Sequence, residues 1–370
     1  MKVLLVEPFL TGSHESWARG WIKKSQHEIH LLSLPGRHWK WRMHGGAISL
    51  AQEVLKLDFD PDLVLVSDMI DLAAFLAHSR KKLAGKPIVT YFHENQLSYP
   101  WSPTDPDVAL KRDNHYSFIN YSTALVSDKL FFNSAYHKSS FLKALPSFLE
   151  QFPDNNLSET VEEIANKSEV LHLGCDLDYF RKLQPAEMVE HNRAVILWNH
   201  RWEYDKNPEE FFQALFTLAD RGIEFKLIVL GERFSNSPPV FEEARERLDS
   251  QIIHWGYLDS KEEYAKYLWE SDIIPVTSRQ DFFGTSLVEA MACDVVPLLP
   301  NRLAFPEHIP QQFHKTYFYE DQRDFVNRLQ RLIFNVKIIR KQNMHQYVMH
   351  YDWNNIVEEY DRRLEEMTVV

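Results

Sequence analysis

Short apolar runs alternate with amphipathic stretches along nearly the whole chain, and they do so in two separate series. Such an alternation buries itself as parallel strands covered by helices, because a parallel strand needs a long crossover to reach its neighbour. The first series reads "KVLLVE", a turn "PFLTGS", a helix near 14–24 and a strand "EIHLLSL", with further strands at 62–67, 87–92 and 129–134. After a polar stretch at 147–168 a strand-like "EVLHLG" returns, and "LQPAEMVEHNR" at 183–193 reads as a linker. The second series runs "AVILWNHR", a helix over 208–221, "KLIVLGE", a helix over 239–249, "IIHWGYL", a helix over 260–270, "DIIPVTS", a helix near 285–292 and "VVPLL". The expected fold class is α/β, with Rossmann-like domains at 1–187 and 188–340 and a helical segment at 341–370 that packs back on the first domain.

A chain of 370 residues is comfortable for two domains of ordinary size. Its 44% hydrophobic and 25% charged residues are those of a folded soluble protein, and no apolar run approaches the eighteen or so residues of a membrane span. The opening "MKVLLVEPF" is stopped by Glu7, which is too short for the apolar part of a secretory signal, so the chain is expected in the cytoplasm, away from membranes. Cys175 and Cys293 are too isolated for a disulfide framework or a cysteine-based zinc site. The net charge of −12 argues against surface-wide attraction to a polyanion, so any nucleic-acid contact has to be local.

Open α/β sheets bind ligands beyond the carboxyl ends of their strands, and the functional cleft is expected between the two domains. In the second series "DIIPVTS" runs into "RQDFFGTSLVEA", where Gly284 precedes Thr285 and Ser286 at a helix start and exposes backbone N–H groups suited to a phosphate. Asp281 in the preceding loop and Glu289, eight residues on and about two turns away, bracket that anion site with carboxylates able to accept sugar and ribose hydroxyls. "RWEYDKNP" offers Arg201 and Lys206 to a diphosphate, although surface pairing with Glu203 and Asp205 is the more ordinary fate of such charges. "VLGERF" ends a strand at Gly231, where close ligand approach is easy, followed by Glu232.

In the first series "LTGSH" presents Gly12 and a predicted N-cap at Ser13. "YFHENQLSYP" sets His93, Glu94, Asn95 and Gln96 directly after an apolar strand. "LPGRHWKWRMHGGA", residues 34–47, interleaves Trp39 and Trp41 with Lys40 and Arg42, as single-stranded nucleic-acid sites do, or else forms a loop whose tryptophans pack on the core. Asp58-Phe-Asp60 and Asp60-Pro-Asp62 enter a strand at its amino end, the wrong end for a cation held with a nucleotide; Asp105-Pro-Asp107 has the same spacing. No G-x-S-x-G, P-loop or H-E-x-x-H motif is present.

Taken together, "NHRWEYDKNP" and the long stretch from "GYLDSKEEY" to "CDVVP" resemble the retaining GT-B glycosyltransferases of the GT4 type, with Asp281-x7-Glu289 standing for their E-x7-E motif. "EPFLTGSH", "LPGRHWKWR", "FHENQLSYP" and "FNSAYHKSSFL" are similar to the tRNA-queuosine α-mannosyltransferases. The resemblance implies a GT-B fold and transfer of mannose from GDP-mannose to the cyclopentenediol of queuosine in a tRNA anticodon loop, with no metal or other cofactor. By the same resemblance Arg201 and Lys206 bind the donor diphosphate, Glu289 accepts from the ribose, and Asp281 with the backbone of Phe283, Gly284, Thr285 and Ser286 holds the hexose and β-phosphate. Gly12, Ser13 and Glu232 complete the donor set, and His93 faces the anomeric carbon from the acceptor side. His14, Trp39, Lys40, Trp41, Arg42, Glu94, Asn95 and Gln96 form the acceptor set. Competing readings are the same donor chemistry on a small-molecule, lipid or polysaccharide acceptor, and a catalytically silent nucleotide-sugar or RNA binding protein.

Overall fold

A computed structural model describes residues 1–102, 105, 107, 110, 114–187, 192–233 and 237–368. The chain forms two units, Met1–Cys175 with Trp353–Val370, and Asp176–Asp352.

The sheet of the first unit contains β1 (Lys2–Leu10), β2 (Glu28–Pro35), β3 (Leu63–Ser67), β4 (Ile88–Phe92), β5 (Lys129–Phe132) and β6 (Ser168–Val170), all parallel, in the order β2-β1-β3-β4-β5-β6. Leu4 and Val6 of β1 share one face with Val64 and Val66 of β3, and helix Ala47–Lys56 covers them with Ala47, Leu50, Ala51 and Val54, a spacing that lines up one side of a helix. Beyond β4, Phe92 and Phe132 meet Phe141, Leu145 and Phe148 from helix Ala135–Leu149, which Ser134 caps by accepting the His137 N–H. The chain steps from β1 outward to β2 and then back past β1 to β3, so the carboxyl ends of β1 and β3 flank the topological switch point, the ordinary place for a ligand.

Two local expectations fail here. Strand β1 continues through "PFL" to Leu10 because pairing with β2 resumes at Leu10 and Pro35 after a register shift, and Thr11, not Ser13, stands at the N-cap of helix Gly12–Lys24. Residues 39–47, read as part of a loop at 34–47, are helical instead: a turn Trp39–Trp41 and a wide π-type stretch Arg42–Gly46 lead into helix Ala47–Lys56 after His38 takes a left-handed conformation.

The sheet of the second unit holds β7 (Ala194–Trp198), β8 (Phe225–Val229), β9 (Ile252–Trp255), β10 (Ile273–Pro275), β11 (Val296–Pro300) and β12 (Phe318–Tyr319), in the order β12-β11-β10-β7-β8-β9. This is the doubly wound Rossmann order, and its switch point lies between β7 and β10. The last strand, only two residues long, leaves no alternation in the sequence to announce it.

The units change over at Cys175/Asp176 and at Asp352/Trp353, earlier than 187/188 and later than 340/341. Helix Leu177–Lys182 joins the second unit because the Phe180 carbonyl accepts Trp269 Nε1 at 2.9 Å and Arg181 pairs with Asp294 at 2.7 Å. His345 bonds Asp294 at 2.6 Å and Tyr351 packs on Phe283, which ties the stretch up to Asp352 to the same unit. Of the expected linker at 183–193, residues 188–191 lie outside the described residues. Helix Trp353–Glu365 belongs to the first unit, where Trp17 Nε1 donates to Tyr360 Oη and Trp21 Nε1 to Asp361, both at 3.1 Å. The Trp353 indole fills spaces left by Gly20 and Gly174, where a Cβ would come within 2.0 and 2.5 Å of its ring.

Candidate active site

At the switch point of the first sheet, β1 delivers Glu7 and His14, β3 delivers Asp68, and β4 delivers His93. The fully buried Glu7 carboxylate accepts from Phe9 N at 2.9 Å and Ser67 Oγ at 3.0 Å, and its other oxygen holds His14 Nδ1 at 3.1 Å. Burial opposes a charge on His14, but Glu7, with Asp68 and Glu94 behind it, outweighs burial and raises the imidazole to about 9. The His93 ring is boxed by His14 at 4.1 Å, Trp17 at 4.7 Å and Tyr91 at 4.9 Å. Burial, with the His14 charge adding, pushes His93 well below the ordinary histidine range, so it is neutral. Its backbone N–H donates to Asp68 Oδ1 at 2.7 Å, and its buried Nε2 meets no partner among the described residues. Asp68, buried beside Glu94 and Glu7, is lifted to about 8 by burial in spite of the His14 charge.

Ligand-type atoms of Glu7, His14 and His93 lie within 4.8 Å of one another, the spacing of a cation site. Glu7 and His14 are also bonded directly to each other, at 3.1 Å. A sequence search for metal spacing misses the group because Glu7 and His14 come from β1 and the helix after it, whereas His93 follows β4, about eighty residues on.

The rest of the first unit's predicted set divides. Asn95 is fully buried and its Oδ1 accepts from Leu97 N, Ser98 N and Ser98 Oγ, so it builds its own loop and is not open to an acceptor. Glu94 and Gln96 are half-buried and bond each other at 3.0 Å. Lys40 is held by Asp105 at 2.7 Å and Asp107 at 2.5 Å and lies over the rings of Trp39, Trp101 and Tyr116. Burial lowers its affinity for a proton, and the two aspartates more than restore it. Lys40 is therefore neutralised at home, Trp39 packs on Trp101 and Tyr116, and Arg42 Nε donates to the Pro35 carbonyl. Trp41 alone of the four stands out, 62% exposed. The same contacts explain Asp105-Pro-Asp107 as a lysine clamp.

In the second unit the switch point between β7 and β10 gathers most of the predicted donor residues. Lys206, only 8% exposed, donates to the Gln280 carbonyl at 2.9 Å and pairs with Asp205 and Asp281 at 3.1 Å each. Burial works against its charge, yet Asp281 and Asp205 raise it above the ordinary lysine range, so the ammonium persists in a dry place. Gly284, at φ +93°, is the hinge into helix Thr285–Ala292, and a Cβ there would press on Phe305 at 3.2 Å. The first N–H groups of that helix find no partner within it. Phe283 itself is buried against His308 and Tyr351, so its role is to hold the loop. Glu289 accepts Tyr264 Oη at 2.9 Å, and burial lifts it to about 7 although that bond pulls the other way.

Arg201 is half exposed and pairs with Glu203 at 3.1 Å, the ordinary fate foreseen for it. Gly231 differs from expectation. Its φ of +106° and a Cβ that would fall 2.0 Å from the His200 carbonyl show that the close approach it permits is by the neighbouring backbone. Glu232 is exposed, and its carbonyl takes Trp202 N at 2.9 Å. Asn199, His200 and Tyr264 were not among the predicted residues. Asn199 Nδ2 bonds Tyr264 Oη at 3.0 Å and the Ser286 carbonyl at 2.8 Å, and His200 Nδ1 bonds Ser286 Oγ at 2.8 Å. Their position directly after a strand was the available signal; Tyr264, on a helix flank, offered none.

Residues 2–175 match the family model of the tRNA-queuosine alpha-mannosyltransferase N-terminal region, and residues 180–348 that of glycosyl transferases group 1. The tRNA-queuosine alpha-mannosyltransferase of Drosophila melanogaster is 32% identical over 347 residues, 92% of this chain and 89% of that one. A GDP-mannose:cellobiosyl-diphosphopolyprenol alpha-mannosyltransferase of Xanthomonas oryzae is 23% identical over 171 residues, 45% of each chain. Among solved structures, sucrose-phosphate synthase from Thermosynechococcus elongatus superposes with a TM-score of 0.74 at 11% identity, covering 99% of both chains. An E. coli trehalose-6-phosphate structure bound with UDP-2-fluoro glucose gives 0.71 at 14%, covering 100% of this chain and 99% of that one. These likenesses establish the two-Rossmann GT-B fold.

Proposed function

The chain belongs to the tRNA-queuosine alpha-mannosyltransferase family and is a glycosyltransferase, and from that premise we propose that it moves mannose from GDP-mannose to queuosine in a tRNA anticodon loop, in the cytoplasm and with retention of configuration. The observation that carries the donor half is Lys206, a buried ammonium between two aspartates beside an open helix start. Such a group in a water-poor setting stabilises the charge that grows on a departing diphosphate. Arg201 adds a second positive charge from the rim, Asp281 orients Lys206 and meets the hexose, and Glu289 accepts from a ribose hydroxyl.

In the reaction the bond from the anomeric carbon to the β-phosphate oxygen breaks, the acceptor oxygen bonds the same face, and its proton passes to the leaving phosphate. Orientation and charge stabilisation then supply the rate. His93, neutral and locked by its aromatic box, serves the acceptor from the first unit, and Trp41 offers a stacking face to a base. Lys206 and Arg201 take the neutralising role that a metal has in other transferases, so turnover is expected to persist in EDTA.

The test is mass analysis of queuosine-containing tRNA incubated with the protein and GDP-mannose. A hexose gain on the queuosine nucleoside supports the reading; unmodified tRNA with a well-folded protein that binds GDP would overturn the acceptor. A melting panel with GDP, UDP and ADP tests the base, since a ligand at a hundred times its Kd adds about 2.7 kcal/mol of stability.

A further inference from the structure

We propose that His200 is a positioning residue that directs the Ser286 hydroxyl toward the diphosphate of the nucleotide-sugar donor. The inference rests on the donor reading above and adds to it a residue that carries no role there.

His200 is immobilised at three points. Its carbonyl accepts Trp198 Nε1 at 2.9 Å, the same carbonyl lies against Gly231, where any side chain would collide at 2.0 Å, and its Nδ1 is 2.8 Å from Ser286 Oγ. Ser286 is gripped a second time through its own carbonyl, which takes Asn199 Nδ2 at 2.8 Å. It is the second residue of helix Thr285–Ala292, where the N–H groups are unpaired within the helix and the positive end of the dipole favours an anion. His200 is 3% exposed, and its Nε2 meets no partner among the described residues.

The charged groups acting on the ring are Lys206, Asp281 and Asp205. Burial, with Lys206 adding, holds the imidazole down to about 4 although the two carboxylates pull the other way, so at neutral pH it carries a single N–H. With that hydrogen on Nδ1 it donates to Ser286 Oγ, and the serine hydrogen is left to donate outward to an anionic oxygen at the helix start. Lys206 then supplies charge and Ser286 supplies direction, and His200 sets the direction without touching the donor.

The experiment measures binding of GDP and of inorganic pyrophosphate by calorimetry at pH 7 to the full chain and to His200→Ala, His200→Asn, His200→Gln, Ser286→Ala and the His200→Ala/Ser286→Ala pair. His200→Ala is expected to weaken both ligands about tenfold, one hydrogen bond's worth. His200→Asn, whose amide reaches the Nδ1 position, should recover to within about threefold; His200→Gln, which reaches the Nε2 position instead, should not. The double variant should bind no more weakly than Ser286→Ala alone. Equal binding by His200→Ala and wild type, failure of His200→Asn alone to recover, or additive losses in the double variant would overturn the proposal. If His200→Ala does not fold, the Asn and Gln pair decides. Loss of GDP and pyrophosphate binding in the wild type itself would instead refute the donor reading.

Discussion

Both sheets present a histidine at their switch points, and the surroundings drive the two imidazoles to opposite states. His14 faces a buried carboxylate and is held as a cation, raised to about 9 against its burial; His200 is held neutral, near 4, by burial with the Lys206 ammonium adding. Each partner is itself locked: Glu7 by Phe9 N and Ser67, Lys206 by Gln280, Asp205 and Asp281. Burial alone drives a histidine toward the neutral state, as at His200; a buried carboxylate bonded to the ring overturns that, as at His14.

The contrast breaks most severely if His14 is removed. His14→Ala leaves Glu7 as an uncompensated buried charge, and urea denaturation should register a loss of about 3–5 kcal/mol, much of it recovered when Glu7→Gln is added. Next in size is Lys206→Ala, for which kcat/KM with GDP-mannose should fall about 10²–10³-fold, against about tenfold or less for the half-exposed Arg201→Ala. Titration sharpens the comparison further. His14 binds its proton more tightly folded than unfolded, so its contribution is complete below pH 6.5 and is lost as pH rises through about 9, an effect of about 3 kcal/mol. His200 runs the other way: its contribution is complete above 6.5 and is lost as pH falls through about 4. Unfolding midpoints across pH 5–9 should decline in wild type; in His14→Ala the His14 part of the decline should be missing while the part from Asp68, raised to about 8, remains.

Smaller effects distinguish surface from site. Trp41→Ala should weaken tRNA binding by about 1–3 kcal/mol in a filter or fluorescence assay while changing stability by less than about 0.5 kcal/mol, because the ring is 62% exposed. Tyr264→Phe removes the donor to Glu289 and should cost about 1 kcal/mol in GDP affinity by calorimetry.

Strand and helix alternation made both sheets legible, down to the helix at 285–292, because parallel strands buried on both faces leave unbroken apolar runs. The same pattern could not announce β12, two residues long, or assign helix Leu177–Lys182 to the second unit, since neither carries a run of its own. Candidate residues with a chemical signature in a loop, Lys206, Asp281 and His93, could be singled out from the sequence. Glu7 was hidden inside an apolar strand, and Tyr264 on a helix flank. The pairing of Lys40 was not legible because its two aspartates are more than sixty residues away in sequence, a neutralisation that only tertiary structure reveals.

Trp353 sits in the gaps at Gly20 and Gly174, so the first unit is finished by residues made after the whole second unit. On a ribosome the early sheet has to wait, with Trp17 and Trp21 uncovered, through the synthesis of Asp176–Asp352, roughly ten to thirty-five seconds at 5–20 residues per second. A stop codon at Trp353 itself would therefore release a chain whose second unit is whole and whose first is unsealed, and such a fragment is a natural client for chaperones.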